Sequence, residues 1–176
     1  MTDGRRLGEA VSVLKINISK LPEGAHQRSL QATPEEIGLD PRFTKEVLVE
    51  STLEKTSRQL YVRTEFKTGG VFTCDRCLEE FEREVSSGFG TMYVTDPDGA
   101  KSDSDDVQVI TPDTNTIDLG EDVRQYAVLA LPPKMLCRDD CAGLCPRCGT
   151  NLNRAKCDCD KDEVDSRWSG LQKLKN

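Results

Sequence analysis

The chain has 176 residues, of which 36% are apolar, or about 43% with its 13 glycines, so it is the size of one domain with a small appendage and a thin core. Lys and Arg number 24 against 31 Asp and Glu, a formal charge of −7, which argues against a protein that clamps nucleic acid through phosphate contacts over its whole surface. No run reaches the 18 apolar residues of a membrane span, and Lys15, Asn17 and Ser19 interrupt any secretory leader, so the expected location is cytoplasmic.

The first patterned stretch alternates Leu14, Ile16 and Ile18 with Lys15, Asn17 and Ser19, the period of a half-buried strand. Residues 22–45 carry Pro22, Gly24, Pro34, Gly38 and Pro41 and read as loop, which makes His26 an exposed loop residue. Strand-like runs follow at Val47 to Leu53, Leu60 to Phe66 and Val71 to Thr73, with Thr68-Gly69-Gly70 as a turn between the last two. Phe81 to Val94 predicts a further strand. Residues 95–106 form an acidic loop without the glycine and glutamate positions of a calcium-binding EF-hand. Val107 to Ile110 resumes a strand. A helix over 119–131 carries Glu121 and Asp122 in its first turn, where the helix dipole favours them. Leu119, Val123, Tyr126, Ala127 and Ala130 share its apolar face, and Pro132-Pro133 ends it. The chain closes with a short amphipathic helix near Trp168, Leu171 and Leu174, capped by Asp165 or Ser166.

Eight cysteines form four close pairs: Cys74 and Cys77, Cys137 and Cys141, Cys145 and Cys148, Cys157 and Cys159. In a reducing compartment such clustering points to metal rather than disulfides. Each pair can clip one side of a tetrahedral ion, and two clips complete a closed structural zinc site. Two zinc sites are therefore expected. The preferred division sets Cys145 and Cys148 with Cys157 and Cys159, across eight intervening residues, leaving Cys74, Cys77, Cys137 and Cys141 to close across 59. The longer closure costs about 1.8 kcal/mol more, small against the roughly 10–16 kcal/mol of structural zinc binding. In Cys145-Pro146-Arg147-Cys148-Gly149 the trailing glycine suits a knuckle turn of positive φ, whereas Cys74-Asp75-Arg76-Cys77 is followed by Leu78.

Two full sets of thiols leave no open coordination position for catalysis. His26 is the single histidine, and no HExxH helix, His-x-Glu companion, nucleophile elbow or phosphate-cradling GxxxxGK is present. A non-enzymatic protein without a small-molecule substrate is expected. The competing reading is a zinc-based redox-switched holdase chaperone, in which oxidation releases the ion.

Phe72-Thr73-Cys74-Asp75-Arg76-Cys77-Leu78-Glu79-Glu80-Phe81, the helix ending Leu129-Ala130-Leu131-Pro132, and the tail Cys141-Ala142-Gly143-Leu144-Cys145-Pro146-Arg147-Cys148-Gly149-Thr150-Asn151-Leu152-Asn153 occur in that order. With Cys157-Asp158-Cys159 and Asp165-Ser166-Arg167-Trp168, they make residues 45–176 resemble the YceD-like family, the large ribosomal RNA subunit accumulation proteins of bacteria and plastids. The resemblance implies a small non-enzymatic protein linked to 23S ribosomal RNA accumulation and large-subunit biogenesis, and some members lack the second knuckle set. Its implied partner is a large-subunit assembly intermediate, through a ribosomal protein or the 23S rRNA. Two zinc sites of four thiolates would take the formal charge from −7 to about −11, which favours a basic protein over broad contact with RNA. Arg138, Arg147, Arg154 and Lys156, on or between the knuckles, are the candidate RNA or partner contacts.

The expected architecture is α+β: a mainly antiparallel β-rich domain over 1–134, with acidic loop 95–106 and covering helix 119–131, then a zinc-knuckle segment and C-terminal helix over 135–176.

Overall fold

The computed structural model describes residues 13–95 and 107–159. Nearly all of the acidic loop, and the expected C-terminal helix with Trp168, lie outside these residues. The chain divides into two compact units. Among the described residues, one comprises residues 13–72, 80–95 and 107–135, the other residues 73–79 and 136–159.

The first unit is built on a five-stranded sheet in the order β2-β3-β4-β5-β6. Its strands are β2 (Gly24–Ala32), β3 (Val47–Lys55), β4 (Gln59–Thr73), β5 (Glu80–Val94) and β6 (Val107–Val109). A separate pair joins β1 (Lys15–Asn17) antiparallel to β7 (Thr116–Asp118). β2, β3 and β4 run antiparallel in turn, and β6 lies parallel to β5, so the larger sheet is mixed.

Side-chain alternation sets the buried face. Val47, Val49, Ser51 and Leu53 of β3 point inward with Leu60, Val62, Thr64 and Phe66 of β4, while Arg63, Glu65 and Lys67 face water. The two hydroxyls in this layer satisfy each other, Ser51 Oγ to Thr64 Oγ1 at 3.1 Å. α1 (Gly120–Leu129) closes the core with buried Val123 and Ala127 and stacks Tyr126 on Phe89 of β5, centroids 4.8 Å apart. The helix of the sequence reading is thus present, one residue shorter at its start and two at its end. Asp118 Oδ1 accepts the Gly120 N–H, and Glu121 and Asp122 occupy the first turn.

Three expectations need correction. Residues 24–32 are an edge strand rather than loop. Its sequence GAHQRSLQA carries little apolar signal because the nine-residue ladder to β3, rather than burial on both faces, holds it in place. His26 therefore lies in β2, partly buried, with Nε2 2.9 Å from the Pro22 carbonyl oxygen. Finally, Leu60 to Phe66 and Val71 to Thr73 are one continuous strand. Gly69 and Gly70 do not turn the chain; they admit the backbone of residues 42–45, whose Thr44 and Lys45 N–H groups donate to the Gly69 carbonyl at 3.0 Å. Val71 N–H donates in turn to the Arg42 carbonyl at 2.9 Å.

Candidate metal centres

All eight cysteines are free thiols in the second unit, and they gather into two groups of four. Cys74, Cys77, Cys137 and Cys141 form one; Cys145, Cys148, Cys157 and Cys159 form the other. Within each group the sulfurs lie within 4.8 Å of one another. This is the division preferred from loop length.

The two CxxC turns are copies of one device. Leu78 N–H donates to the Cys74 carbonyl and Gly149 N–H to the Cys145 carbonyl, both at 2.9 Å. Cys74 N–H donates to the Glu79 carbonyl at 2.9 Å, and Cys145 N–H to the Thr150 carbonyl at 2.8 Å. In each turn the first sulfur accepts backbone N–H groups two and three residues on, Arg76 and Cys77 in one knuckle, Arg147 and Cys148 in the other. The second sulfur accepts the N–H two residues on, from Glu79 and Thr150 respectively. Such a turn needs a left-handed residue after its second cysteine. Gly149 takes φ 74 without strain, as its sequence predicts, while Leu78 takes φ 59 despite its side chain.

The donor set fits zinc. A tetrahedral ion with Zn–S bonds near 2.3 Å has sulfur–sulfur edges of about 3.8 Å. Cys74 to Cys141 measures 3.8 Å and Cys77 to Cys137 measures 3.7 Å, far beyond a disulfide bond. Within each group the surroundings divide the thiols. Burial opposes ionisation of Cys74, yet the N–H groups of Cys137, Cys77 and Arg76 bring its thiol down to about 6. The N–H groups of Cys148 and Arg147, with the Cys157 thiol, hold Cys145 at about 6. Burial and the neighbouring sulfurs push Cys137 up to about 12; in the other group the Cys148 sulfur, then burial, does the same to Cys159. Four thiolates this close need a cation between them, and neither group includes a histidine or carboxylate.

The groups differ in access. Cys74, Cys77 and Cys141 are buried and Cys137 is intermediate. In the other group only Cys145 is buried, Cys157 and Cys159 are intermediate, and Cys148 is exposed.

Arg76 ties the first knuckle to the chain around Cys141: its Nη1 donates to the Cys141 carbonyl at 2.8 Å and its own carbonyl accepts the Leu144 N–H at 3.0 Å. Gly143, at φ 77, lets that approach occur, since a Cβ there would lie 3.0 Å from the Arg76 oxygen. Of the four candidate contacts, Arg138 bonds Asn153 Oδ1 at 2.6 Å and pairs with Asp140 at 3.3 Å. Arg154 pairs with Glu79. Arg147 and Lys156 are both exposed on the second-knuckle segment. Sequence reasoning missed Arg76, Thr150 and Asn153, which touch the thiol groups or their backbone; nothing in residue spacing marks a polar side chain as a partner to a ligand. Among the described residues no helix is long and apolar enough to cross a membrane.

The family model described as large ribosomal RNA subunit accumulation protein YceD matches residues 62–175. A chloroplastic protein of Arabidopsis thaliana, named large ribosomal RNA subunit accumulation protein YCED homolog 1, is 34% identical over 64 residues, covering 36% of this chain and 20% of that protein. Uncharacterized proteins of Mycobacterium bovis and Mycobacterium tuberculosis are each 26% identical over 122 residues, 69% of this chain and 58% of theirs. The chain thus spans under two thirds of the length of these curated relatives. No solved structure matches.

Proposed function

The chain belongs to the YceD family, and from that premise we propose that it is a non-enzymatic, zinc-braced binding protein that supports accumulation of 23S ribosomal RNA during assembly of the large ribosomal subunit. Cys74, Cys77, Cys137 and Cys141 hold one zinc, and Cys145, Cys148, Cys157 and Cys159 hold the other. The observation that supports this most is the gathering of eight sulfurs into two groups of four, each within 4.8 Å, with two edges of the first at 3.7 and 3.8 Å, since four thiolates saturate the ion and leave no position for an activated water. When bound, the metal supplies cohesion; the chain's own residues supply recognition.

Arg138, Arg147, Arg154 and Lys156, all exposed, are the cations proposed to meet a partner. The partner is an assembly intermediate of the large subunit, met through a ribosomal protein or its rRNA. The acidity of the chain as a whole favours a basic protein as the immediate contact.

Deletion of the gene should lower 23S relative to 16S RNA, with rescue by the intact chain and weaker rescue by a Cys74→Ser variant. An unchanged ratio would refute the assignment. Zinc loss with gained holdase activity after peroxide treatment would instead support the chaperone reading, which the exposure of Cys148 makes chemically accessible.

A further inference from the structure

Asn153 lies in the loop that closes the second thiol group, between Cys148 and Cys157, yet its carboxamide reaches a sulfur of the first. Its Nδ2 donates to Cys141 Sγ at 3.3 Å and to Asn151 Oδ1 at 2.9 Å. Its Oδ1 accepts the Ala142 N–H at 2.8 Å and the Arg138 guanidinium at 2.6 Å. Those last two partners can only donate, so the oxygen must face them and the amide hydrogens must face the sulfur and Asn151.

The loop around Asn153 is itself fixed. Asn153 N–H donates to Asn151 Oδ1 at 2.9 Å, and Leu152 N–H donates to the Gly143 carbonyl at 2.9 Å. Leu144 and Asn151 form an antiparallel bridge. The far end of this loop is anchored by Cys157 and Cys159, so the second thiol group limits where Asn153 can sit. An N–H donor to a ligand sulfur disperses thiolate charge at a site whose four thiolates and one zinc sum to −2, and it orients the ligand.

We infer that Asn153 is a positioning residue that couples the two metal sites: the second site, when filled, holds the loop that presents this amide to Cys141, and the first site binds more tightly for it. The inference rests on metal binding at both thiol groups. Losing an outer partner of this kind typically weakens metal affinity by about 10–100-fold. Coupling between binding sites is reciprocal, so filling the first site must also favour the second.

The test uses the full chain loaded with cadmium-113 and followed by NMR. The wild-type chain should give two resonances in the four-sulfur range. A Cys157→Ser/Cys159→Ser variant identifies which belongs to the first group. A scalar coupling from that cadmium to the Asn153 side-chain amide proton should be present, since it travels through the N–H···S bond. Asn153→Asp keeps the oxygen that Ala142 and Arg138 use but has no N–H, so it should abolish this coupling and shift the first resonance while leaving the second in place. Asn153→Ala should do likewise. In a competition assay with a zinc chelator, both the Asn153→Asp and the Cys157→Ser/Cys159→Ser variants should weaken the first site about tenfold or more. Two resonances with no amide coupling, or first-site affinity unchanged in these variants, would overturn the inference and leave metal binding standing. Fewer than two four-sulfur resonances in the wild-type chain would overturn both.

Discussion

Gly70→Ala is the substitution whose cost the fold states most directly. A Cβ at this position would lie 2.0 Å from the Arg42 carbonyl oxygen and 2.8 Å from both the Arg42 carbonyl carbon and Phe43 Cα. All three are backbone atoms, so no rotamer change relieves the overlap, and residues 42–45 must move away from β4 by on the order of 1 Å. That movement strains three backbone hydrogen bonds, Val71 to Arg42 and both Thr44 and Lys45 to Gly69. It also disturbs Phe43, 3% exposed and edge-on to Phe72 at 5.6 Å. Losing two of the three bonds costs about 2 kcal/mol. Overpacking adds about 1–3 kcal/mol. Alanine returns about 0.4–1 kcal/mol by restricting the unfolded chain. The net expectation is a loss of about 3 kcal/mol, or roughly 6–12 °C in Tm for a chain of this size. Gly90→Ala provides the contrast. Its Cβ would meet the Tyr61 hydroxyl, the far end of a side chain that can swing aside, and the cost should stay within about 1 kcal/mol. Urea unfolding of the zinc-loaded protein, compared at equal m-value, measures both. A Gly70→Ala variant within 1 kcal/mol of wild type, or one no worse than Gly90→Ala, would refute the reasoning.

Three further outcomes are expected. The purified protein should hold two zinc ions per chain, and a chelator should take the ion of the Cys145 group first, because Cys148 is exposed while three ligands of the other group are buried; chelator titration of the intact cadmium-113-loaded chain shows which assigned resonance fades first, and earlier loss from the Cys74 group would contradict the assignment. At the left-handed position of the knuckles, Gly149→Leu should cost about 1 kcal/mol, whereas Leu78→Gly should leave stability unchanged or slightly raised, since Leu78 is 64% exposed and sits at φ 59; calorimetry of the zinc-loaded variants decides, and a harmless Gly149→Leu would count against the shared turn geometry. Burial, then the charges of Asp122 and Asp118, pushes the Tyr93 phenol up to about 12. The unfolded phenol releases its proton near 10, so between these values the folded state holds the extra proton and stability falls as pH rises, by on the order of 2 kcal/mol in all. Ultraviolet titration should show one tyrosine ionising only near 12, and Tyr93→Phe should flatten the alkaline limb of stability.

What sequence determined by itself was local in origin. Alternating residues in 14–19 and 60–66, the apolar stripe Leu119, Val123 and Ala127, and the glycine after Cys148 each carry a period or a backbone requirement that neighbours along the chain impose. The division of eight thiols into two groups was also legible, because short loops close at lower entropic cost. Tertiary structure decided the rest. β2 is a strand because β3 lies beside it, and its own composition says little. Gly69 and Gly70 mark a crossing of two backbones where sequence suggested a turn, since glycine answers both needs and only the approach of residues 42–45 distinguishes them. Asn153 acquires its role from a sulfur twelve residues away, a relation that exists only once the loop has folded back onto residues 141–144. Periodicity reports which face of an element meets the core; it carries no information about which distant backbone or polar side chain will arrive there.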